Sequence, residues 1–332
     1  HIKQSYSGEL PKKDNQESNL KYYSQPHEIE AQYRGFKRLA KLQKKPFEEI
    51  VKNLLDNSIP KNEFDLVAEF SYKIPSMVIC ELLGIPIEMQ DKLRYWSDAT
   101  AGFSASARVP FDVALKANQA TIEAEEYLFQ LFDQLQAKPG ENLLSKLLTL
   151  NSDEDHLTYQ ELAALTIQLF FAGFETTEGL IGNLVRALDA NQSEKAKLIA
   201  KPELIPGAVE EGLRYDSSIL KQSRVASEDI QLGDTLIKKG EYVHFMIGAA
   251  NRDFRKFSDP DSFIVDRPDI NHVSFGHGIH FCIGAPLGRL ESQIAIRQLL
   301  ERIPNFKVIQ PEVKFPELFA VRKPLQLAIS CN

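Results

Sequence analysis

Residues 275–284 read FGHGIHFCIG: a lone cysteine among glycines, histidines and bulky apolar side chains. Just beyond comes the helix-patterned run PLGRLESQIAIRQLLERI, with Pro286 near its first turn. Gly276, Gly278 and Gly284 permit positive φ and close backbone approach, so the loop can fold tightly beneath a flat ligand with Cys282 at its floor. The amides and dipole at the start of the following helix favour a thiolate there over a thiol. A free cysteine also packs well as a small hydrophobe, so the loop on its own allows either a structural thiol or a ligating sulfur.

Working outward, apolar residues recur at helical spacing from Pro26 to about residue 200, interrupted by prolines at 46, 60, 75, 86, 110 and 139. The longest run opens at Thr158, where T-x-x-E with Glu161 makes a capping box, and continues through LAALTIQLFFAGFETTEGLIGNLVRALDA. Roughly 30 residues at about 1.5 Å each would carry it across the whole molecule. Past Arg224, EDIQLGDTLIKKGEYVHFMIGA alternates apolar and polar residues around Gly233 and Gly240, which predicts two or three short strands joined by hairpins. NFKVI and PLQLAIS read as further strands, whereas residues 1–25 lack periodicity. With no repeat or linker in view, the expectation is one domain over 1–332, helix-rich over 26–215 and strand-rich over 216–332.

The chain has 332 residues, 43% of them hydrophobic and 26% charged, in the ordinary range for a globular protein. A net charge of −7 argues against a nucleic-acid partner, which needs many phosphate-neutralising cations. Cys80, Cys282 and Cys331 form no C-x-x-C pair, so neither a disulfide framework nor a zinc cluster is expected, and a reducing cytoplasm fits best. Apolar runs such as LTIQLFFAGF reach about half the length of a membrane span, so no membrane partner is expected.

The pattern F-x-x-G-x-H-x-C-x-G, at Phe275, Gly278, His280, Cys282 and Gly284, resembles the haem-binding signature of the cytochrome P450 family. That resemblance implies a mainly α fold with a smaller β part (α+β), with haem b between the long central helix and the helix after the cysteine loop. Cys282 would be the metal ligand, an anionic sulfur that pushes electron density through iron and favours O–O cleavage. Phe275 and Gly276 would pack against the haem on its sulfur side, and His280 matches a position that meets a propionate.

FFAGFETTEG, residues 171–180, offers independent support. Ala172 and Gly173 leave room beside the backbone, and the Thr176 hydroxyl can turn back to the Ala172 carbonyl and open the helix locally. The A-G-x-E-T pattern resembles the family's oxygen-binding segment, which implies that Glu175 and Thr176 are catalytic, supplying protons to reduced oxygen. Helix phase around Thr176 points to Gln168, Phe171 and Ala172 as pocket lining, with Ala172 also against the haem. Position before Arg224 adds Leu220 and Gln222 to the lining.

In VEEGLRY, Glu211 and Arg214 are three apart and share a helix face. By resemblance they join Arg267 of FIVDRP in a buried structural cluster, and Arg224 corresponds to a propionate-binding arginine. The similarity covers roughly residues 45–330. Ahead of it, family members carry several dozen more residues, so either the chain is an unusually compact member or it lacks segments of the natural one. A histidine and an arginine four residues apart usually reach the propionates; here His27 is followed by Ala31, and Arg34 is the nearest arginine. Arg34, Lys37, Arg38, Lys41, Lys44 and Lys45 make either a solvated helix face or a docking patch for an acidic electron carrier.

The resemblance therefore implies a monooxygenase that hydroxylates or epoxidises a small apolar or mixed substrate with O2. No flavin or iron–sulfur motif occurs, so electrons would come from an external ferredoxin with its reductase, or a flavodoxin. Two other readings stand beside it: a peroxide-driven haem-thiolate enzyme, against which the Glu175–Thr176 pair argues, and a non-catalytic haem sensor or electron carrier.

Overall fold

The computed structural model describes residues 44–104, 109–150, 157–316 and 320–332. Helices dominate, with a minor β part, as an α+β fold requires. Helix α1 (Lys44–Ser58) buries Phe47, Val51 and Leu55, one per turn, on a single face. It leads to strand β1 (Glu63–Asp65), a π-helical turn at Val67–Ser71, and α2 (Lys73–Leu83). Gly84 ends α2 in the left-handed region (φ 77°), where only glycine is unstrained. Then follow α3 (Gln90–Ser104), α4 (Phe111–Ala137), α5 (Leu143–Leu150) and the longest helix, α6 (Tyr159–Ala190).

At its N-terminus α6 has the capping box that the T-x-x-E spacing predicts: the Glu161 amide donates to Thr158 Oγ1 at 3.2 Å, and the Thr158 amide to Glu161 Oε2 at 2.9 Å. Next come α7 (Gln192–Ala200) and α8 (Ile205–Tyr215), then strands β2 (Gln222–Val225), β3 (Ile230–Leu232), β4 (Thr235–Ile237) and β5 (Tyr242–Phe245). A one-turn helix α9 (Ile247–Ala250) precedes the long irregular stretch that ends in the cysteine loop. Helix α10 (Ala285–Arg302) and strands β6 (Lys307–Val308) and β7 (Ala328–Ser330) complete the described chain.

Three departures from the sequence reading have physical causes. Strand β1 lies inside a stretch expected to be helical, because it pairs antiparallel with β7 (Glu63 opposite Ser330), a contact without local signal. Of the expected hairpins, only β3–β4 forms, around Gly233 at φ 57°; β5 pairs back with β2 instead (Gln222 opposite Phe245). Residues 216–332, expected to be strand-rich, hold strands of only two to four residues between long loops.

Two hydrophobic clusters make up the interior, and α6 runs through both. Its first half (Leu162, Ala163, Phe170, Phe174) packs with α3, α4 and α5, and its second half (Leu180 to Leu188) with α1, α8 and α10. Between those halves lies the segment Glu175–Gly179, where two buried carboxylates, Glu175 and Glu178, interrupt the apolar packing. Among the described residues no helix is long and apolar enough to cross a membrane.

Candidate functional site

The cysteine loop closes on itself through backbone bonds. The Cys282 amide donates to the Phe275 carbonyl at 2.8 Å and the Phe281 amide to Gly278 at 3.0 Å, while Gly276 and Gly278 take φ of 73° and 67°. These left-handed values are why glycines stand there. Cys282 is half-buried at the mouth of α10. Burial pushes its thiol up from the ordinary value, while the amides of Gly284 and Ala285 and the Arg289 charge pull the other way. The helix start thus assists a thiolate, as the sequence implied, but burial is the larger effect.

Helix α6 presents an open stripe along a length otherwise half-buried or buried. Ala164, Gln168 and Ala172 are exposed and Thr176 half-buried, each four residues from the last. Thr176 Oγ1 donates to the Ala172 carbonyl at 3.0 Å. Beyond Thr176 the stripe stops, because α10 crosses there: a Cβ on Gly288 would lie 3.4 Å from Thr177 Oγ1. Gly288 is six residues past Cys282, so this crossing brings the A-G-x-E-T segment and the cysteine loop into one neighbourhood.

Glu175 points elsewhere. Successive helix positions differ by about 100°, and its side chain is buried against Lys323, whose Nζ lies 3.0 Å from Glu175 Oε1 and 3.0 Å from Glu178 Oε2. Burial pushes both carboxyls up from their ordinary value, and Lys323 pulls them back. Nothing in the sequence pattern marked Lys323, which arrives from the C-terminal segment 145 residues beyond Glu178.

Behind the loop stands a buried ionic cluster. Glu211 receives two hydrogen bonds from Arg214 (2.7 and 2.8 Å) and two from Arg267 (3.0 and 3.2 Å). The arginines also donate to the carbonyls of Asn251, Ser258, Pro260 and Ser262, so the charges lie in a fully bonded setting. Sequence reasoning missed Asn251, whose amide nitrogen donates to Ser217 Oγ and Ser274 Oγ while its oxygen accepts from the Val273 amide. This ties the approach to the cysteine loop onto α8. A second missed support is Glu210, which receives two bonds from Arg289 (2.7 and 2.8 Å) and one contact from His272 (3.1 Å). Arg289 in turn lies 4.5 Å over the Phe275 ring. An aromatic or arginine beside the loop in sequence was the available signal, but E-x-x-R spacing drew attention to Glu211 instead.

Leu220 is half-buried and held by backbone bonds to Ala320 and Gly248, and Gln222 is exposed at the start of β2. Phe171 is half-buried on α6. Arg224 and His280 are exposed; Arg224 Nη1 bonds only the neighbouring Ser223 carbonyl among the described residues. His27 and Arg34, like the cation run up to Gln43, lie outside the described residues.

The arrangement fits a flat, largely apolar macrocycle with acidic edges. A helix face made of Ala164, Ala172 and Thr176 stands open, the cysteine loop exposes Ile279 and Ile283, and exposed Arg224 and His280 can meet carboxylates. Cys282 supplies the one soft donor in the loop, and no cluster of three or more His, Cys, Asp or Glu forms a competing metal site among the described residues.

Comparison with known proteins points the same way. The family model described as Cytochrome P450 matches residues 111–326. Cytochrome P450 107B1 of Saccharopolyspora erythraea is 41% identical over 263 residues, covering 79% of the chain and 63% of the relative, so the chain spans under two thirds of that protein's length. The biotin biosynthesis cytochrome P450 of Bacillus subtilis is 36% identical, covering 85% of the chain and 71% of the relative. The mycinamicin IV hydroxylase/epoxidase of Micromonospora griseorubida is 38% identical, covering 85% and 70%. Among solved structures, the Bacillus subtilis 168 bacillaene polyketide synthase cytochrome P450 PksS superposes with a TM-score of 0.84 at 32% identity, covering 92% of the chain and 79% of that structure.

Proposed function

The chain belongs to the cytochrome P450 family, and from that premise we propose that it is a haem-thiolate monooxygenase. It would insert one atom of dioxygen into a C–H bond or double bond of a small apolar or mixed substrate, using electrons from an external ferredoxin-type or flavodoxin partner. Members of the family hold haem b through the cysteine of this loop. The observation that carries the reading is the open stripe ending at Thr176, with its hydroxyl on the Ala172 carbonyl, next to the crossing with the helix that starts three residues after Cys282.

Cys282 would hold the iron, Arg224 and His280 would take the propionates, and Ala172 would lie against the macrocycle. When bound, the haem supplies dioxygen activation and O–O scission, for which a thiolate ligand is suited. The chain does the rest. Thr176 keeps its hydroxyl at the edge of the stripe, positioned to pass on a proton at Oγ1. Glu175, which here faces Lys323, would be the acid that restores that proton once its side chain turns toward the Thr176 hydroxyl. Gln168, Phe171, Leu220 and Gln222 would orient the substrate, and half-buried apolar walls restrict water.

A spectrum of the reduced protein under carbon monoxide tests this. The expected result is the strongly red-shifted Soret band of thiolate ligation, lost in Cys282→Ser. A wild-type spectrum without that band, or a serine variant that keeps it, overturns the proposal.

A further inference from the structure

Glu175 presents a problem of access. Its carboxylate is buried away from the open stripe, with Oε1 on Lys323 and Oε2 without a hydrogen-bond partner. One turn on, Glu178 has Oε2 on the same ammonium and Oε1 3.8 Å from Arg94. Arg94 is a third exposed and lies 3.7 Å from Asp98, which is half exposed. A line of charged groups therefore runs from buried Glu175 through Lys323 and Glu178 to the surface of α3.

Lys323 is fixed from its backbone side. Segment 322–324 lies directly on α6, where a Cβ on Gly179 would come within 3.0 Å of the Arg322 carbonyl and 3.1 Å of Lys323 Cβ, and one on Gly182 within 3.1 Å of Pro324. Asn183 Nδ2 donates to the Arg322 carbonyl at 3.0 Å, and the Arg322 amide donates to Ser218 at 2.8 Å. Such anchoring exceeds what a surface ion pair receives. Burial disfavours a charged lysine there, but Glu178, Glu175 and Asp98 outweigh it and hold Lys323 above its ordinary value.

Resting on the reading of Glu175 as the acid, we propose that Lys323 is its positioning residue and that Glu178 is the group through which Glu175 exchanges protons with solvent at the Arg94–Asp98 edge. Both carboxylates start ionised; a proton entering from water at the half-exposed Asp98 edge passes to Glu178, then to Glu175 and on toward Thr176, so both carboxylates and the ammonium end with the charge they began with. Without the ammonium, Arg94, 3.8 Å from Glu178, is the cation left to offset two buried carboxylates one turn apart, so one of them takes up a proton.

The test has two readouts. Infrared spectra of the protein labelled at glutamate, recorded without turnover at neutral pH, should gain a protonated-carboxyl band in Lys323→Met. That band should be absent in Lys323→Arg, which keeps the charge, and should shrink in the Lys323→Met/Glu175→Gln double variant. With a reconstituted electron-transfer chain, Lys323→Met and Glu178→Gln should each lower the fraction of electrons recovered in product by roughly tenfold, raise peroxide release and enlarge the solvent isotope effect, with Lys323→Arg recovering most of the loss. Normal infrared and coupling in Lys323→Met and Glu178→Gln, while Glu175→Gln uncouples, overturns this inference and leaves the acid in place. A silent Glu175→Gln overturns both.

Discussion

Arg289 holds its guanidinium 4.5 Å above the Phe275 ring while bonding Glu210 at 2.7 and 2.8 Å. The helix that follows the cysteine thus reaches back over the first residue of the cysteine loop while a carboxylate on α8 holds its guanidinium, so the loop is clamped between the helix directly after it and one that ends well before it in sequence.

Acid stability follows from that clamp. Burial alone would raise the Glu210 carboxyl, but bonds from His272 and Arg289 outweigh it and bring it down to about 2. Folded, the group binds a proton less readily than unfolded, so its contribution is complete above about pH 4.5 and is lost as pH falls toward 2. The drop is worth on the order of 3 kcal/mol at neutral pH. Urea denaturation at several pH values should show a shallower loss of stability below pH about 4.5 in Glu210→Gln than in the unaltered protein.

Arg214→Met removes one partner of a pair in which neither side chain is exposed, leaves buried Glu211 with Arg267 as its remaining charged partner, and unpairs the carbonyls of Asn251 and Pro260. The expected loss is about 3–5 kcal/mol in a denaturant melt, with haem content falling in parallel because the cluster braces the approach to the cysteine loop.

Thr176→Val keeps the shape of the stripe but removes the hydroxyl that bonds the Ala172 carbonyl. Substrate affinity, read from the spin-state shift, should change little. The fraction of electrons recovered in product should fall by roughly tenfold or more, with peroxide as the alternative product.

Gly179→Ala would gain about 1 kcal/mol in an open helix. Here the new methyl meets the Arg322 carbonyl at 3.0 Å, and that carbonyl is held by Asn183. A net loss of about 1–3 kcal/mol is expected from thermal or urea unfolding, the sign reversed by crowding.

Much of this organisation was legible in local sequence, and the boundary is instructive. The capping box of Thr158 and Glu161, the turn from Thr176 to the Ala172 carbonyl and the Gly233 hairpin are short-range devices, fixed by residues at most four apart. The spacing of Glu211 and Arg214 predicts a shared face, but burial and the third partner, Arg267, depend on packing more than 50 residues away. Lys323, Asn251, Glu210 and the β1–β7 pairing were not legible, because each takes its meaning from a neighbour that chain folding supplies. One lysine or asparagine in a loop carries no pattern of its own.

The seating of residues 322–324 in the groove over Gly179 and Gly182 also orders events during synthesis. About 140 residues separate the middle of the longest helix from the segment that covers it, so the ribosome completes that helix long before its cover exists. Glu175 and Glu178 acquire their shared cation only once residue 323 has emerged and docked.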